Sequence, residues 1–251
     1  MIIKDVDLYN VRSLLDGDNA GAHALSRLPE DVRSRLNDAA RTAALNTCGC
    51  EVRFNLEGPS ATITLRRAPA TGVAALGIAE VYYGPIQAPY AVSPCLIGPE
   101  PTPIVVPSLP ADSTLRMLMG RCASPFDPHL VRIILPYDAP TFLCDIAGDV
   151  SPPRAGQTPG KVYLAYGSSI THGGCAIRPT ETYAMRVAAA LGLDLINLGF
   201  AGSAHLDDAM AEYIAESPDW DVATLELGIN VIDQWSTALV SANKRASGGL
   251  W

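Results

Sequence analysis

The chain has 251 residues, 48% of them hydrophobic and 18% charged, which excludes a disordered polymer and is ample for a folded core. A net charge of −8 and a pI near 4.9 count against non-specific nucleic-acid or anionic-membrane binding, which needs clustered Lys and Arg. No apolar run approaches the ~20 residues of a membrane-spanning helix.

The start, Met1-Ile2-Ile3-Lys4-Asp5-Val6-Asp7, lacks the basic-then-apolar layout of a secretory leader, and the expected compartment is cytoplasmic. Leu25, Leu28, Val32, Leu36, Ala40 and Ala43 recur at steps of three and four, which predicts one helix near 29–44. Pro29 suits its first position, and Glu30 and Asp31 suit its first turn. The remainder to about residue 150 consists of short β-prone runs broken by Pro and Gly. Glu51–Phe54, Ala61–Leu65, Ala79–Tyr83 and Val131–Leu135 are examples. Alternation such as Thr62 and Thr64 against Ile63 and Leu65 marks strands with one wet face, and many such strands predict a jelly-roll-like β-sandwich over 1–150. The six cysteines form no CxxC pair, and several sit in apolar contexts as small core residues, so a reduced state is expected.

The Pro- and Gly-rich stretch 151–160 reads as a linker. Beyond it the pattern becomes strand, helix, strand, helix, strand. Val162–Tyr166 is the first strand, and Tyr183, Val187 and Leu191 mark a helix stopped by Gly192. Leu193–Leu198 is the second strand. Leu206, Met210, Tyr213 and Ile214 mark a second helix ending before Pro218, and Val222–Leu227 is the third strand. This alternation predicts an α/β fold with a parallel sheet, flanking helices and an active site at the carboxyl ends of the strands.

A motif follows each strand. Gly167-Ser168-Ser169-Ile170-Thr171 presents a hydroxyl at a strand-to-helix turn, where backbone N–H groups favour developing negative charge. Asn197-Leu198-Gly199-Phe200-Ala201-Gly202 ends on a glycine whose N–H is unobstructed, and Gly228-Ile229-Asn230 ends on an amide donor. Taken singly, these are also the residues of helix caps and turns. Taken together they supply a nucleophile, Ser169, and two oxyanion donors, Gly202 and Asn230. His172 lies three residues past Ser169, and His205 lies three past Gly202 beside Asp207 and Asp208, so either could serve as base or be a structural residue. His23 and His129 belong to the first domain and carry no predicted role. The histidines and cysteines lack metal-ligand spacing and no phosphate loop is present, so no metal or cofactor is expected.

These segments resemble the blocks of the SGNH (GDSL-type) hydrolase superfamily, in the branch with an N-terminal β-sandwich. Gly167-Ser168-Ser169-Ile170 resembles the nucleophile block, with Ser168 where aspartate is usual. Asn197 to Gly202 resembles the second block and Gly228-Ile229-Asn230 the third, with Val231 where aspartate commonly follows. The similarity is strong from 161 to 233 and loose before. It implies a flavodoxin-like sheet over 161–251, Ser169 as nucleophile, and an oxyanion site from Ser169, Gly202 and Asn230. The family's late Asp-x-x-His segment has no counterpart after Asn230, so the sheet is expected to be truncated and the base improvised. The expected activity is hydrolysis of a small acyl ester, as by an esterase or deacetylase, on a small-molecule substrate. The alternatives are a non-hydrolytic enzyme of the same fold, such as a cyclase or isomerase of natural-product biosynthesis, and a catalytically dead binding protein. A three-strand sheet leaves an open edge. The expected cover is the sandwich, the tail from Trp235 onward, or a second copy of the chain in a homodimer.

Overall fold

The computed structural model describes residues 1–17, 21–69, 75–110, 112–119, 121, 124–232, 236 and 238. The first region contains β1 (Ile2–Ile3), β2 (Val6–Tyr9), β3 (Ser13–Asp16), β4 (His23–Ser26), α1 (Glu30–Arg33) and α2 (Asp38–Ala43). It continues through β5 (Glu51–Arg67), β6 (Gly77–Tyr83), β7 (Ile86–Gln87), β8 (Cys95–Ile97) and β9 (Thr102–Pro107). Then come α3 (Thr114–Met119), β10 (Leu130–Ile134) and β11 (Thr141–Ser151). The second region contains β12 (Val162–Gly167), α4 (Ser169–His172), α5 (Tyr183–Leu191), β13 (Asp194–Gly199), α6 (Asp208–Glu216) and β14 (Val222–Leu225).

β5 organises the sandwich. The two separate strands expected at Glu51–Phe54 and Ala61–Leu65 are one strand of 17 residues that continues through Gly58 and Pro59. Its first part pairs antiparallel with β2 and β10, and its second part with β9 and β11. Register shifts in β11 at Leu143/Asp145 and Gly148/Val150 absorb the bend. Gly148 is required there, because a Cβ would approach Ser60 O to 2.7 Å at a φ of +116°. Alternate residues Ile63, Leu65, Ile104, Val106, Val81 and Ile133 belong to the sandwich's apolar core.

The single helix expected near 29–44 is two short helices. Leu25 belongs to β4 instead. The break comes at Asn37, whose side chain caps α2 by accepting Ala40 N–H at 3.0 Å, worth about 1 kcal/mol. The same residue donates its backbone N–H and its Nδ2 to the Asp207 carboxylate at 3.0 and 2.8 Å. An uninterrupted helix would spend that backbone N–H internally. The apolar stripe Leu28, Val32, Leu36, Ala40 and Ala43 packs with Leu164, Tyr166, Ile196, Leu198 and Met210, so this segment forms a layer of the α/β region.

β12, β13 and β14 form a parallel sheet in the order β13–β12–β14. The α/β class and the elements beyond residue 161 fall as the sequence predicts, with β14 ending two residues early, at Leu225. Gly192 closes α5 at a φ of +67°. Period-2 alternation divides the sheet: Leu164, Tyr166, Ile196 and Leu198 face α1, α2 and α6, whereas Tyr163, Ala165 and Leu195 face α5 and Ile134 of the sandwich.

The outer side of β13 is met by the first region. Arg27 donates to Asn197 O and Gly199 O, both at 2.9 Å, and Asn10 Nδ2 reaches Asn197 O at 3.2 Å. Among the described residues nothing pairs with the outer side of β14. The tail from Trp235, named as one expected cover, lies outside the described residues apart from two isolated positions. The 152–160 segment is tied to the sandwich, because Gln157 and Asn55 exchange amide hydrogen bonds at 2.9 and 2.8 Å.

Candidate active site

Ser169 is the first residue of α4 at the carboxyl end of the central strand β12, and it is half-buried. Ser168 caps the helix, accepting Ile170 N–H at 3.3 Å. The turn is tight on both sides. A Cβ on Gly167 would meet Thr171 Oγ1 at 2.4 Å and Glu226 Oε2 at 2.8 Å, and one on Gly199 would meet His172 N at 2.1 Å. Glycine at both strand ends therefore lets α4 sit directly on the sheet.

The turn after β13 is locked by Asn197. Its Nδ2 donates to Thr171 O at 2.9 Å and its Oδ1 accepts Gly199 N–H at 2.8 Å, so one buried side chain joins the β13 turn to α4. Behind it lies Arg27, fully buried over the Phe200 ring with its carbon 4.9 Å from the centroid. Burial alone would raise the Cys48 thiol. The Arg27 guanidinium and His172 overturn that and leave its pKa below the ordinary value. Gly202 itself is exposed, at a φ of +69° with open space around its Cα.

Asn230 joins the third turn to the second. Its Oδ1 accepts the backbone N–H of Ala204 at 3.1 Å, which leaves the amide Nδ2 as its donor end. Because β13 and β14 lie on opposite sides of β12, this bond bridges the two flanking turns across the end of the central strand that presents Ser169. A cavity of about 380 Å³ lies between Ile170 of α4 and the segment after β14, where Glu226, Leu227, Gly228 and Ile229 line it. A larger cavity of about 480 Å³, bordered by Glu51, Tyr82, Phe126 and Asp194, lies toward the amino ends of the strands, away from these turns.

The structure does not bring His172 to Ser169. The ring is buried, with Nδ1 at 3.2 Å from Gly199 O and Nε2 at 3.5 Å from Asn46 Nδ2. Helical spacing of three would put the two side chains on one face, but α4 rests on Gly199, and the His172 ring is held there by Gly199 O and Asn46. His205 lies on the Gly202 turn, where its backbone N–H reaches Ser203 O at 2.9 Å. The Ser169 hydroxyl makes no hydrogen bond to a side chain among the described residues. Two residues of the site were not singled out from the sequence. Glu226 accepts both the N–H and the hydroxyl of Ser168, at 2.8 and 2.5 Å, and Arg27 holds the β13 turn. The available signal for Glu226 was a lone carboxylate between Leu225 and Leu227 in an otherwise apolar run.

The α/β unit therefore presents a hydroxyl, a glycine and an amide turn at one end of its sheet. Residues 160–228 match the profile of the GDSL-like Lipase/Acylhydrolase family. That match places the likeness to the SGNH (GDSL-type) hydrolases in the α/β region. No curated protein sequence matches the chain significantly. Among solved structures, the salicylyl-acyltransferase SsfX3 from a tetracycline biosynthetic pathway is similar, with a TM-score of 0.75 and 22% identity. That match covers 98% of this chain and 66% of that one. A GDSL-like lipase from Bacteroides ovatus has a TM-score of 0.58 and 14% identity over 96% of this chain and 70% of that one. A family two carbohydrate esterase from Cellvibrio japonicus has a TM-score of 0.55 and 12% identity over 98% and 72%. At these identities the likeness is one of fold, and the chain spans 66% of the length of the acyltransferase.

Proposed function

We propose that this chain carries the nucleophile and oxyanion side of a serine acyl-transfer site acting on a small acyl ester. The observation that carries the reading is the hydrogen bond from Ala204 N–H to Asn230 Oδ1, which ties two donor-bearing turns together over the strand that ends at Ser169. Ser169 Oγ attacks the ester carbonyl carbon and its proton passes to a base. The carbonyl oxygen becomes an oxyanion facing the N–H groups of Ser169 and Gly202 and Asn230 Nδ2. Collapse breaks the bond to the alkoxy group, which leaves with a proton as the alcohol. Each fixed donor contributes about 2.7–4 kcal/mol to the transition state. With both ring nitrogens of His172 turned toward Gly199 and Asn46, His205, on the Gly202 turn, is the remaining candidate for the base.

Water resolves the acyl-serine in an esterase, and an alcohol resolves it in a transferase. The acyltransferase similarity favours keeping the second route open, because the same oxyanion donors serve both. The test is mass spectrometry after fluorophosphonate treatment, with Ser169→Ala as control, beside turnover of short-chain aryl esters with and without an added alcohol. An adduct on Ser169 is the expected result. Neither adduct nor turnover would sink the proposal.

A further inference from the structure

The aspartate usual before the nucleophile in the SGNH pattern is Ser168 here, yet a carboxylate still occupies this corner of the fold. It comes from Glu226, immediately past β14. A single oxygen, Oε2, accepts both the backbone N–H of Ser168 at 2.8 Å and its hydroxyl at 2.5 Å. The hydroxyl, having donated its one proton to Glu226, accepts Ile170 N–H at 3.3 Å. A relay therefore runs from the first turn of α4 through Ser168 to a carboxylate just past the neighbouring strand, and Ser169 lies inside it. Gly167 makes the relay sterically feasible, since a Cβ would approach Glu226 Cβ and Oε2 to 2.8 Å. Ser168 is 1% exposed, so water does not compete for these bonds, whereas Glu226 also borders the cavity between α4 and the segment after β14.

We infer that Glu226 is the positioning residue of the nucleophile turn, holding Ser168 and the first turn of α4 so that Ser169 keeps its aim at the oxyanion donors. The inference deepens the proposed function and rests on it. Charge-assisted bonds from one carboxylate oxygen to a backbone and a side-chain donor are shorter and stronger than neutral ones. A turn held from just past the adjacent strand also couples the nucleophile to Asn230, four residues later in the same loop.

The experiment relocates the carboxylate. Four proteins are compared with wild type: Glu226→Ala, Glu226→Gln, Ser168→Asp, and the double variant Ser168→Asp/Glu226→Gln. Fluorophosphonate labelling of Ser169 is expected to slow by about 10²-fold in Glu226→Ala, because a misplaced reacting group costs that much. Glu226→Gln, which keeps an acceptor without charge, is expected to fall between that variant and wild type. Ser168→Asp puts two carboxylates in contact and slows labelling as well. The double variant restores one carboxylate to the pair and recovers most of the loss. A merely structural role would not produce that recovery. Wild-type labelling rates in Glu226→Ala, or a double variant slower than both of its parents, overturn the inference. If wild type itself is not labelled, the hydrolase reading fails, and amide hydrogen exchange at positions 168 and 170 then decides the positioning role. Protection lost in Glu226→Ala and regained in the double variant supports it, and protection unchanged in Glu226→Ala overturns it.

Discussion

β13 and β14 flank the same central strand, and their outer edges are treated in opposite ways. β13 is buried along its whole length, and its outward carbonyls are met by Arg27 and Asn10 from the first region. At the start of β13, Arg53 pairs with the Asp194 carboxylate through both terminal nitrogens at 2.7 Å. On β14, by contrast, Val222 is 42% exposed and Leu225 40% exposed, with no strand beyond them among the described residues. One edge is therefore closed by side-chain donors in place of another strand, while the other has no pairing strand among the described residues. The comparison shows that the sandwich completes the α/β sheet and braces the turn that carries Gly202.

Substitutions on the two edges should separate accordingly. The largest effect is expected for Arg27→Ala, which removes the charged donor from the buried carbonyls of Ala43, Asn46, Asn197 and Gly199. A loss of about 5 kcal/mol follows from four lost charge-assisted hydrogen bonds, read as the shift in chemical denaturation midpoint. Arg53→Ala leaves Asp194 buried without its cation and Glu51 with Arg132 alone, and is expected to cost about 4 kcal/mol by the same measurement.

The same cluster predicts a pH dependence. Burial would raise the Glu51 carboxyl, but Arg132 and Arg53 outweigh it and hold its pKa down at about 2. Because the folded value lies below the unfolded one, this stabilisation is fully present above pH ~4.5 and is lost as pH falls toward 2. Thermal unfolding midpoints measured through that window should fall, and should fall less in Arg132→Met, where the downward pull is weaker. Asn37→Ala removes the α2 cap and the side-chain bond to Asp207 while keeping the backbone one, with an expected cost of about 1–2 kcal/mol by denaturation and no change in sandwich content by circular dichroism.

The smallest effect on folding belongs to the open edge. Leu225→Lys should change stability by no more than about 0.5 kcal/mol, as exposed positions do. Light scattering makes the contrast sharp: we propose a second copy as the cover of β14, and a wild-type mass of two chains should drop to one in this variant. A one-chain wild type would remove the homodimer from consideration.

Much of the α/β half was legible in one dimension. Its elements are local events: an apolar run, a serine cap at Ser168, a glycine stop at Gly192, each decided by neighbours a few residues away. The order of the three motifs and their position after parallel strands followed from the same pattern. The helix near 29–44 misled because its periodicity is real but its burial partner lies some 130 residues on, and Asn37 is claimed by Asp207. The orientation of His172 was equally hidden. Spacing put it near Ser169, but α4 rests on Gly199 and turns that ring into the protein.

What the amino-acid order determined alone was the class of fold, the strand-end placement of Ser169, Gly202 and Asn230, and the absence of an aspartate at position 168. Only the folded chain decided that Glu226 supplies a carboxylate there, that Arg27 closes the β13 edge, and that Asn230 reaches Ala204. Each of those is a contact between residues 26 to 172 positions apart. Short-range preferences choose helices and turns, whereas which distant polar groups meet is chosen by the packing of layers that buries them together.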